Sequence, residues 1–245
     1  RTAGGSRCDP LTISDAYSRM LLCCQIVPKT DYAHVRPVFE RAFREYGLPQ
    51  AIRTDNGPPF ASVGAGGLSP LAAWWVKLGI TPERIQPGHP EENGRHERMH
   101  RTLKAETMRP PAATPTAQQQ RCDTFRLVYN TQRPHQALGQ VPPATLYAPS
   151  PRPYPQRVDD PHYPPFIEVR RVRSNGQIKW HGELVFVTEA LVGELVGVAE
   201  RQDHWLVSFG HIPLGRLRPH QKTLERLSQR PPTGTKLIIV TDVHS

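Results

Sequence analysis

The 245-residue sequence predicts an α/β domain with a mixed sheet flanked by helices, followed by a small all-β barrel. Three observations lead to this fold class. Strand-type and helix-type patterns alternate over residues 1–148, a proline-rich stretch fills 149–165, and short alternating strands occupy 166–219. Residues 220–245 are expected to form a loosely attached tail. The length suits one ordinary domain and a smaller one.

The first elements are predicted to be a hairpin, a helix and a short strand. The segments CDPLTIS and RMLLCCQIV, joined by the turn DAYS, indicate two antiparallel strands. Apolar residues at three- and four-residue steps then indicate a helix over 31–46, which starts either at Asp31 or at Pro37. QAIRT follows as a short strand that delivers Asp55.

Three helices and one extended segment complete the predicted domain. PLAAWWVKLG indicates a helix and ITPERIQPG an extended segment; of Trp74 and Trp75, one is expected in the core and the other at the surface. PEENGRHERMHRTLKAETM indicates a helix with Pro90 at its start. The last helix has Thr114 as its N-cap and Pro115 in the first position. This order of elements is typical of a mixed sheet covered by helices.

The remaining chain changes to an all-β pattern. PSPRPYPQRVDDPHYPP predicts a semi-rigid linker, because its prolines exclude a packed core. Five short strands follow within about 55 residues, which suggests a small barrel. The pair Asn175-Gly176 between alternating segments predicts a hairpin turn.

The charge balance favours a polyanionic partner. The formal net charge is +9, and 25 of the 31 basic residues are arginine, whose guanidinium binds phosphate in bidentate geometry. Nucleic acid is the commonest such partner, although a basic surface can also serve solubility alone. The excess is shared along the chain, with 18 basic against 12 acidic residues in 1–148.

The cysteines and the hydropathy pattern predict a cytoplasmic protein. Four cysteines lack C-x-x-C or zinc-ligand spacing and suit reduced core thiols. No apolar run reaches membrane-spanning length, and no signal peptide is present. The sequence does not begin with Met, so we expect further chain upstream.

Two segments carry residues that can act in chemistry. Asp55 follows a strand in RTDNGPPF, where it is either an Asx-turn residue or a metal ligand at the carboxyl end of a sheet. Glu97 shares one helical face with His100, Arg101 and Lys104. That pattern describes either a solvated helix face or a carboxylate metal ligand beside phosphate-binding side chains.

Taken together, RTDNGPPF, PGHPEENGRHERMHRTLK and YNTQRPHQALG resemble the integrase catalytic core of retroviral integrases and bacterial insertion-sequence transposases, and the transposases most. The resemblance covers residues 1–148 and implies an RNase H-like fold with an Asp, Asp, Glu triad. It implies Mg²⁺, with Mn²⁺ as a substitute, and DNA cleavage and strand transfer. In this chain the spacing between Asp55 and Glu97 is longer than in retroviral members, which the GAGGLSP loop explains.

The resemblance assigns residues one by one. Asp55 and Glu97 take the places of the second and third triad residues, and both would be catalytic metal ligands. The implied DNA-binding positions on the second motif are Asn93, His100, Arg101 and Lys104. The implied partners are transposon-end and target DNA, with a homo-oligomer on the DNA and no membrane.

The first triad aspartate is expected upstream of Arg1, because RTAGGSR matches the turn that follows the first strand. Asp9 and Asp15 are the nearby acidic alternatives; Asp15 fits better as a turn cap or as a partner of Arg19. We therefore expect this chain, as given, not to catalyse strand transfer. The alternatives are a catalytically dead DNA-binding remnant and an RNase H-like nuclease.

Two further groups of residues leave alternatives open. In the predicted barrel, Arg171, Arg173 and Lys179 offer a nucleic-acid surface with Trp180 nearby, although an oligomerisation surface fits equally well. Arg133 and His135 in the third motif suit either DNA contact or packing.

Overall fold

The structure is a computed structural model that describes residues 2–5, 7–54, 57–62, 64–84, 94–227 and 237–242. It divides into two compact units. The first comprises Arg1–Asp55, Glu83–Tyr154 and Gly234–Ser245, and the second comprises Asn56–Pro82 and Pro155–Thr233. The division differs from the predicted boundaries, since residues 56–82 group with the C-terminal strands.

The first unit is built on a mixed five-stranded sheet, as the sequence predicts. The strands are β1 (Asp9–Asp15), β2 (Leu21–Val27), β3 (Ala51–Thr54), β4 (Thr81–Arg84) and β11 (Leu237–Asp242). The strand order is β2-β1-β11-β3-β4. β11 is antiparallel to β1 and parallel to β3.

The central strand β11 departs from the prediction of a loose tail over 220–245. LIIVTD is a β-branched apolar run, which suits a position with strands on both sides. Sequence reasoning missed it because a short apolar run carries no periodicity of its own and its partners are far away in the chain.

The predicted hairpin of β1 and β2 is confirmed, with Thr12 opposite Cys24 and Ile13 opposite Cys23. Its tight turn places Arg19 at a φ of 63°. All four cysteines are free and buried, in agreement with the prediction of core thiols.

Helix α1 (Tyr32–Tyr46) begins at the earlier of the two predicted starts. Asp31 caps it by accepting a hydrogen bond from the His34 backbone N–H, and Pro37 lies inside the helix. The helix ends at Gly47, where a Cβ atom would lie 2.5 Å from the Ser150 carbonyl oxygen. A glycine is therefore required at this close approach.

Helices α3 (Gly94–Thr107) and α4 (Pro115–Thr131) cover the sheet face that includes Thr12 and Cys24. The predicted N-cap is confirmed, because Thr114 accepts a hydrogen bond from the Ala117 N–H. The predicted start of α3 at Pro90 lies outside the described residues. The cluster between these helices and β2 is formed by Leu21, Cys24, Met99, Leu103, Cys122, Phe125 and Tyr129. A short helix, α5 (Pro143–Leu146), follows α4.

The second unit combines α2 (Pro70–Lys77) with six strands. The strands are β5 (Glu168–Arg171), β6 (Gln177–Trp180), β7 (Glu183–Phe186), β8 (Leu195–Glu200), β9 (Trp205–Phe209) and β10 (Ile212–Leu217). They form a four-stranded sheet, β10-β9-β8-β5, and a separate pair, β6-β7. Within residues 155–227 the described strands do not close into a barrel, so the barrel prediction is not shown.

Two local predictions in the second unit need correction. Asn175-Gly176 does form a turn, with the Gly176 N–H bonded to the Arg173 carbonyl, but β5 pairs with β8 and β6 with β7. The turn thus joins two sheets and does not make a hairpin of its flanking strands. Trp74 and Trp75 are both buried, because α2 is apolar on nearly all sides.

Among the residues that the structure describes, 3₁₀ turns occur at Ala65–Gly67, Gln136–Leu138 and Glu189–Leu191. Among the described residues, no helix is both long enough and apolar enough to cross a membrane.

Candidate active site at the carboxyl end of the sheet

The carboxyl end of β3 lies beside the central strand. Asp55 and Asn56, which follow β3, lie outside the described residues, so the metal role of Asp55 stays a prediction. In the sheet, Ile13 of β1 and Thr54 of β3 are both register partners of Val240. Two strand spacings, about 10 Å, therefore separate the Ile13 and Thr54 backbones. The end of β3 thus lies close to the part of β1 that contacts α3.

Two histidines hold α3 against β1. The His96 ring bonds through Nε2 to Thr12 Oγ1 at 3.0 Å and through Nδ1 to Ser14 Oγ at 3.1 Å. His100 Nε2 lies 2.7 Å from the same Thr12 hydroxyl, and the two rings are 4.3 Å apart. The first turns of α3, which carry Glu97, are therefore fixed by hydrogen bonds to the middle of β1.

Burial keeps both rings neutral at pH 7. It lowers the pKa of His96 well below the usual range, with a smaller contribution from His100. Burial also lowers the pKa of His100 to about 4, and Lys104 adds to the effect. Neutral imidazoles can both donate and accept, as hydrogen bonds to two hydroxyl groups require.

Sequence reasoning did not select His96, and it placed His100 among the DNA-binding residues. The ring of His100 instead lies against Thr12 inside the first unit, and its contact with DNA stays a prediction. The signal that could have revealed the pair is the i,i+4 spacing of the two histidines. They share a helical stripe with the buried Met99 and Leu103.

Glu97 lies in the first turn of α3 and is exposed. Within the described residues it makes no hydrogen bond or ion pair. Arg101 is also exposed one turn later, and Lys104 is half-buried. The structure therefore brings Glu97 and Arg101 to one accessible side of α3, as their spacing predicts. Asn93, the fourth predicted residue in this motif, lies outside the described residues.

In the part of the chain that the structure describes, no group of three or more His, Cys, Asp or Glu residues could hold a metal ion. The donor chemistry of Glu97 nevertheless fits a hard cation. Its carboxylate is accessible and lacks a cationic partner among the described side chains, and Mg²⁺ is held by one or two carboxylates together with water and substrate phosphates.

Asp15, one alternative for the missing triad residue, is engaged in its turn. Its Oδ2 accepts hydrogen bonds from the Ser18 N–H at 2.7 Å and from the Ser18 hydroxyl at 2.6 Å. The turn-cap interpretation of Asp15 agrees with this geometry. Asp9 is the first residue of β1 and is paired with Val27, far along the strand from Thr12.

The third motif packs against the end of α4. Arg133 makes a two-pronged ion pair with Glu106, at 2.7 and 2.8 Å. The His135 ring meets the Tyr129 ring edge-on at 4.8 Å. Burial, and then Arg19 and Arg133, lower the pKa of His135. Of the two roles left open for Arg133 and His135, these contacts favour packing.

In the second unit the predicted basic residues Arg171, Arg173 and Lys179 are all exposed. Arg171 also bonds to the Gly193 carbonyl. Trp180 is buried, and its ring lies 5.6 Å from Trp205, so it packs within the unit and offers no open face for a base. The three cations remain predicted DNA contacts.

Comparison with known proteins matches two models of the integrase core domain to this chain, one over residues 1–90 and the other over 78–143. An uncharacterized 39.2 kDa protein of insertion element IS476 from Xanthomonas euvesicatoria is 31% identical over 147 residues, which are 60% of this chain and 41% of that protein. An uncharacterized 31.7 kDa protein of insertion element IS407 from Burkholderia multivorans is 29% identical over 147 residues, 60% of this chain and 51% of that protein.

A Gag-Pol polyprotein of baboon endogenous virus is 31% identical over 94 residues, which are 38% of this chain and 5% of that protein. The chain thus spans about half the length, or less, of the curated relatives that it matches.

Proposed function

Since this chain belongs, through residues 1–143, to the integrase core domain family, we propose that it acts on DNA in transposition or integration. The reaction is metal-dependent cleavage and joining of phosphodiester bonds. The family has an RNase H-like α/β fold, with which the mixed sheet of the first unit and its covering helices agree.

The packing of α3 on β1 supports the proposal in addition to the family match. His96 and His100 fix α3 on β1, and the next residue after His96 is an exposed carboxylate, Glu97. β3 ends two strands away at Thr54, immediately before Asp55. The end of β3 and the first turns of α3 therefore belong to the same unit, although 41 residues separate Asp55 from Glu97 in the chain.

We assign Asp55 and Glu97 as ligands of Mg²⁺, for which Mn²⁺ can substitute. Bound there, the metal ions would supply activation of the attacking oxygen and stabilisation of the leaving oxygen in an in-line displacement. The residues of this chain hold the ion and orient the phosphate. Arg101 and Lys104 lie one and two turns beyond Glu97, where their charges attract the DNA backbone.

Joining requires a third carboxylate that neither Asp9 nor Asp15 supplies. Asp15 is bound by Ser18, and Asp9 lies at the far end of β1 from Ser14, which contacts His96. Asp242 ends β11 beside β1, but its register partner is Leu11, and Thr241 is the residue opposite the α3-contacting Thr12. We therefore propose that this chain alone binds DNA and does not join it.

DNA binding by α3 is tested by a double variant, Arg101→Ala with Lys104→Ala. Fluorescence anisotropy of a labelled duplex measures affinity at several salt concentrations. Two lost phosphate contacts should lower the slope of log affinity against log salt by about 2 and weaken binding uniformly across DNA sequences.

The matched control is Arg157→Ala, which removes an exposed arginine whose described ion pair is with Asp159. Arg157→Ala should leave the DNA affinity and the slope of its salt dependence close to those of the unmodified chain. If the double variant binds with the original affinity and slope, α3 does not contact the phosphates, and the proposed interface is wrong.

A further inference from the structure

A cleft of about 280 Å³ lies at the beginning of α3 in the first unit, where His96 and Arg98 line it. Three parts of the chain line it: the end of β1 with the turn that follows, the beginning of α3, and the end of α4 with the segment that follows. Asp15 and Arg19 belong to the first part, Arg98 to the second, and Tyr129 and His135 to the third. Its size is close to the lower limit of small-molecule sites, about 300 Å³, and suits one flat ring system.

Two buried polar atoms in the cleft lining have no hydrogen-bond partner among the described residues. They are Oδ1 of Asp15 and Nε2 of His135. Asp15 is only 3% exposed. An unsatisfied buried acceptor typically costs about 1–3 kcal/mol, and more when it is charged, so a ligand that donates to it gains binding free energy.

The two oxygens of Asp15 are not equivalent. Oδ2 is occupied by both donors of Ser18, and only Oδ1 remains. A single carboxylate acceptor suits one exocyclic amino group, such as N4 of cytosine or N6 of adenine. Asp15 also borders a second cavity, but that one measures about 30 Å³, which is the space of one water molecule.

The mouth of the cleft is positively charged. Arg98 is exposed and Arg19 is half-buried. The third arginine in the lining, Arg133, is neutralised by Glu106. Arginine at an accessible rim suits a phosphate, because its guanidinium can make two parallel hydrogen bonds. The cleft therefore combines a phosphate-binding rim with an acceptor inside.

We propose that this cleft takes one unpaired nucleotide of the DNA, with its phosphate at Arg19 and Arg98 and an amino-bearing base directed to Asp15. The base has to leave the stack, since a buried acceptor cannot reach a paired amino group. Arg98 lines the cleft and lies in the same turn of α3 as the exposed Glu97. The proposal rests on the DNA-binding function proposed above.

The first test uses the unmodified chain and three labelled single-stranded oligothymidylates that differ at one central position. That position carries dC, dT or an abasic sugar, and fluorescence anisotropy gives the affinity. The dC strand should bind about tenfold more tightly than the dT strand, and the abasic strand no better than dT. Equal affinity for all three strands overturns the proposal.

The second test uses the variant Asp15→Asn, which should invert the preference for the dC strand over the dT strand. The Ser18 donors still need an oxygen, so the new amide must place its NH₂ group where Oδ1 was. The cleft then offers a donor, which pairs with O4 of thymine and not with N4 of cytosine. The variant should prefer dT to dC, and a variant that keeps the dC preference contradicts the assignment of Asp15.

The control Asp123→Asn changes a carboxylate on α4 outside the cleft lining and should keep the original preference. Thermal unfolding checks that each variant folds. If Asp15→Asn does not fold, the affinities of the unmodified chain for the three oligonucleotides still test the proposal. If the chain does not bind DNA, none of the three oligonucleotides binds, and this result differs from equal binding of all three.

Discussion

His96, Glu97 and His100 show how one helical segment serves both packing and chemistry. The two histidines face the hydroxyl groups of Thr12 and Ser14, whereas the carboxylate between them is exposed. Each neutral ring bonds to a buried hydroxyl group of β1. The position of Glu97 is therefore set by its neighbours and not by contacts of its own with the described residues.

This arrangement predicts a loss of stability in mild acid. The folded-state pKa of His100 is about 4, against 6.5 for the free side chain, because of burial and Lys104. Between these values the unfolded state binds the proton and the folded state does not, so the free energy of unfolding falls as pH decreases from 6.5 to 4. A shift of this size corresponds to about 3 kcal/mol.

Urea unfolding at several pH values measures the effect. The variant His100→Gln keeps a side chain that can bond to Thr12 but cannot titrate, so its stability should fall less over this range. His34, an exposed histidine on α1 that contacts Asp31, provides the control variant His34→Gln. Identical pH profiles for His100→Gln and the unmodified chain would contradict the assigned cause.

Sequence patterns predicted the residues at element ends better than those at the site. Thr114 was predictable because a cap is a local feature, with the acceptor and donor three residues apart. The contact of His96 with Ser14 was not, because the two residues are 82 positions apart and only the packing of α3 on β1 unites them. Asp15 and His135 both line the cleft, and their proximity was unpredictable for the same reason, since they are 120 positions apart in the chain.

Among the elements, β11 has the largest consequence for the fold. It lies between β1 and β3 and pairs with both. Without β11, the strands β1 and β3, which lie next to the proposed site, would have no common neighbour in the sheet. Its sequence predicts a strand only weakly, and its place in the sheet depends on partners more than 180 residues away.

The variant Val240→Pro tests the role of this strand. Proline removes a backbone donor from a central strand, and the acceptor left unsatisfied costs about 1–3 kcal/mol. Amide hydrogen exchange in β1 and β3 should therefore become about a hundredfold faster, while β8 and β9 of the second unit serve as the internal reference.

The matched variant Val240→Ile keeps the β-branched side chain and the backbone donor. It should show the exchange pattern of the unmodified chain. Unchanged protection of β1 and β3 in Val240→Pro would mean that β11 does not support the sheet.

At the scale of the whole molecule, the sequence predicted the order of the two parts but not their composition. The α/β unit and the later strands follow from periodicity, which is local. The grouping of 56–82 with 155–233 does not, because it depends on long-range packing of an apolar helix. The strands of the second unit were also predicted, yet their sheet pairing was not, since Asn175-Gly176 fixes a turn without fixing which strands pair.

The charge of +9 and the match to the integrase core domain both support the proposal that this chain binds DNA. We propose that Asp55 and Glu97 together hold a divalent metal ion. Electron paramagnetic resonance of Mn²⁺ titrated into the whole chain, with Mg²⁺ as competitor, measures this directly.

We expect a Mn²⁺ site whose affinity weakens about tenfold or more in Asp55→Asn and in Glu97→Gln, since each change removes an anionic oxygen ligand. Glu183→Gln, an exposed carboxylate in β7 of the second unit, should leave it unchanged. Mn²⁺ affinity that is the same in Asp55→Asn, Glu97→Gln and the unmodified chain would contradict the claim.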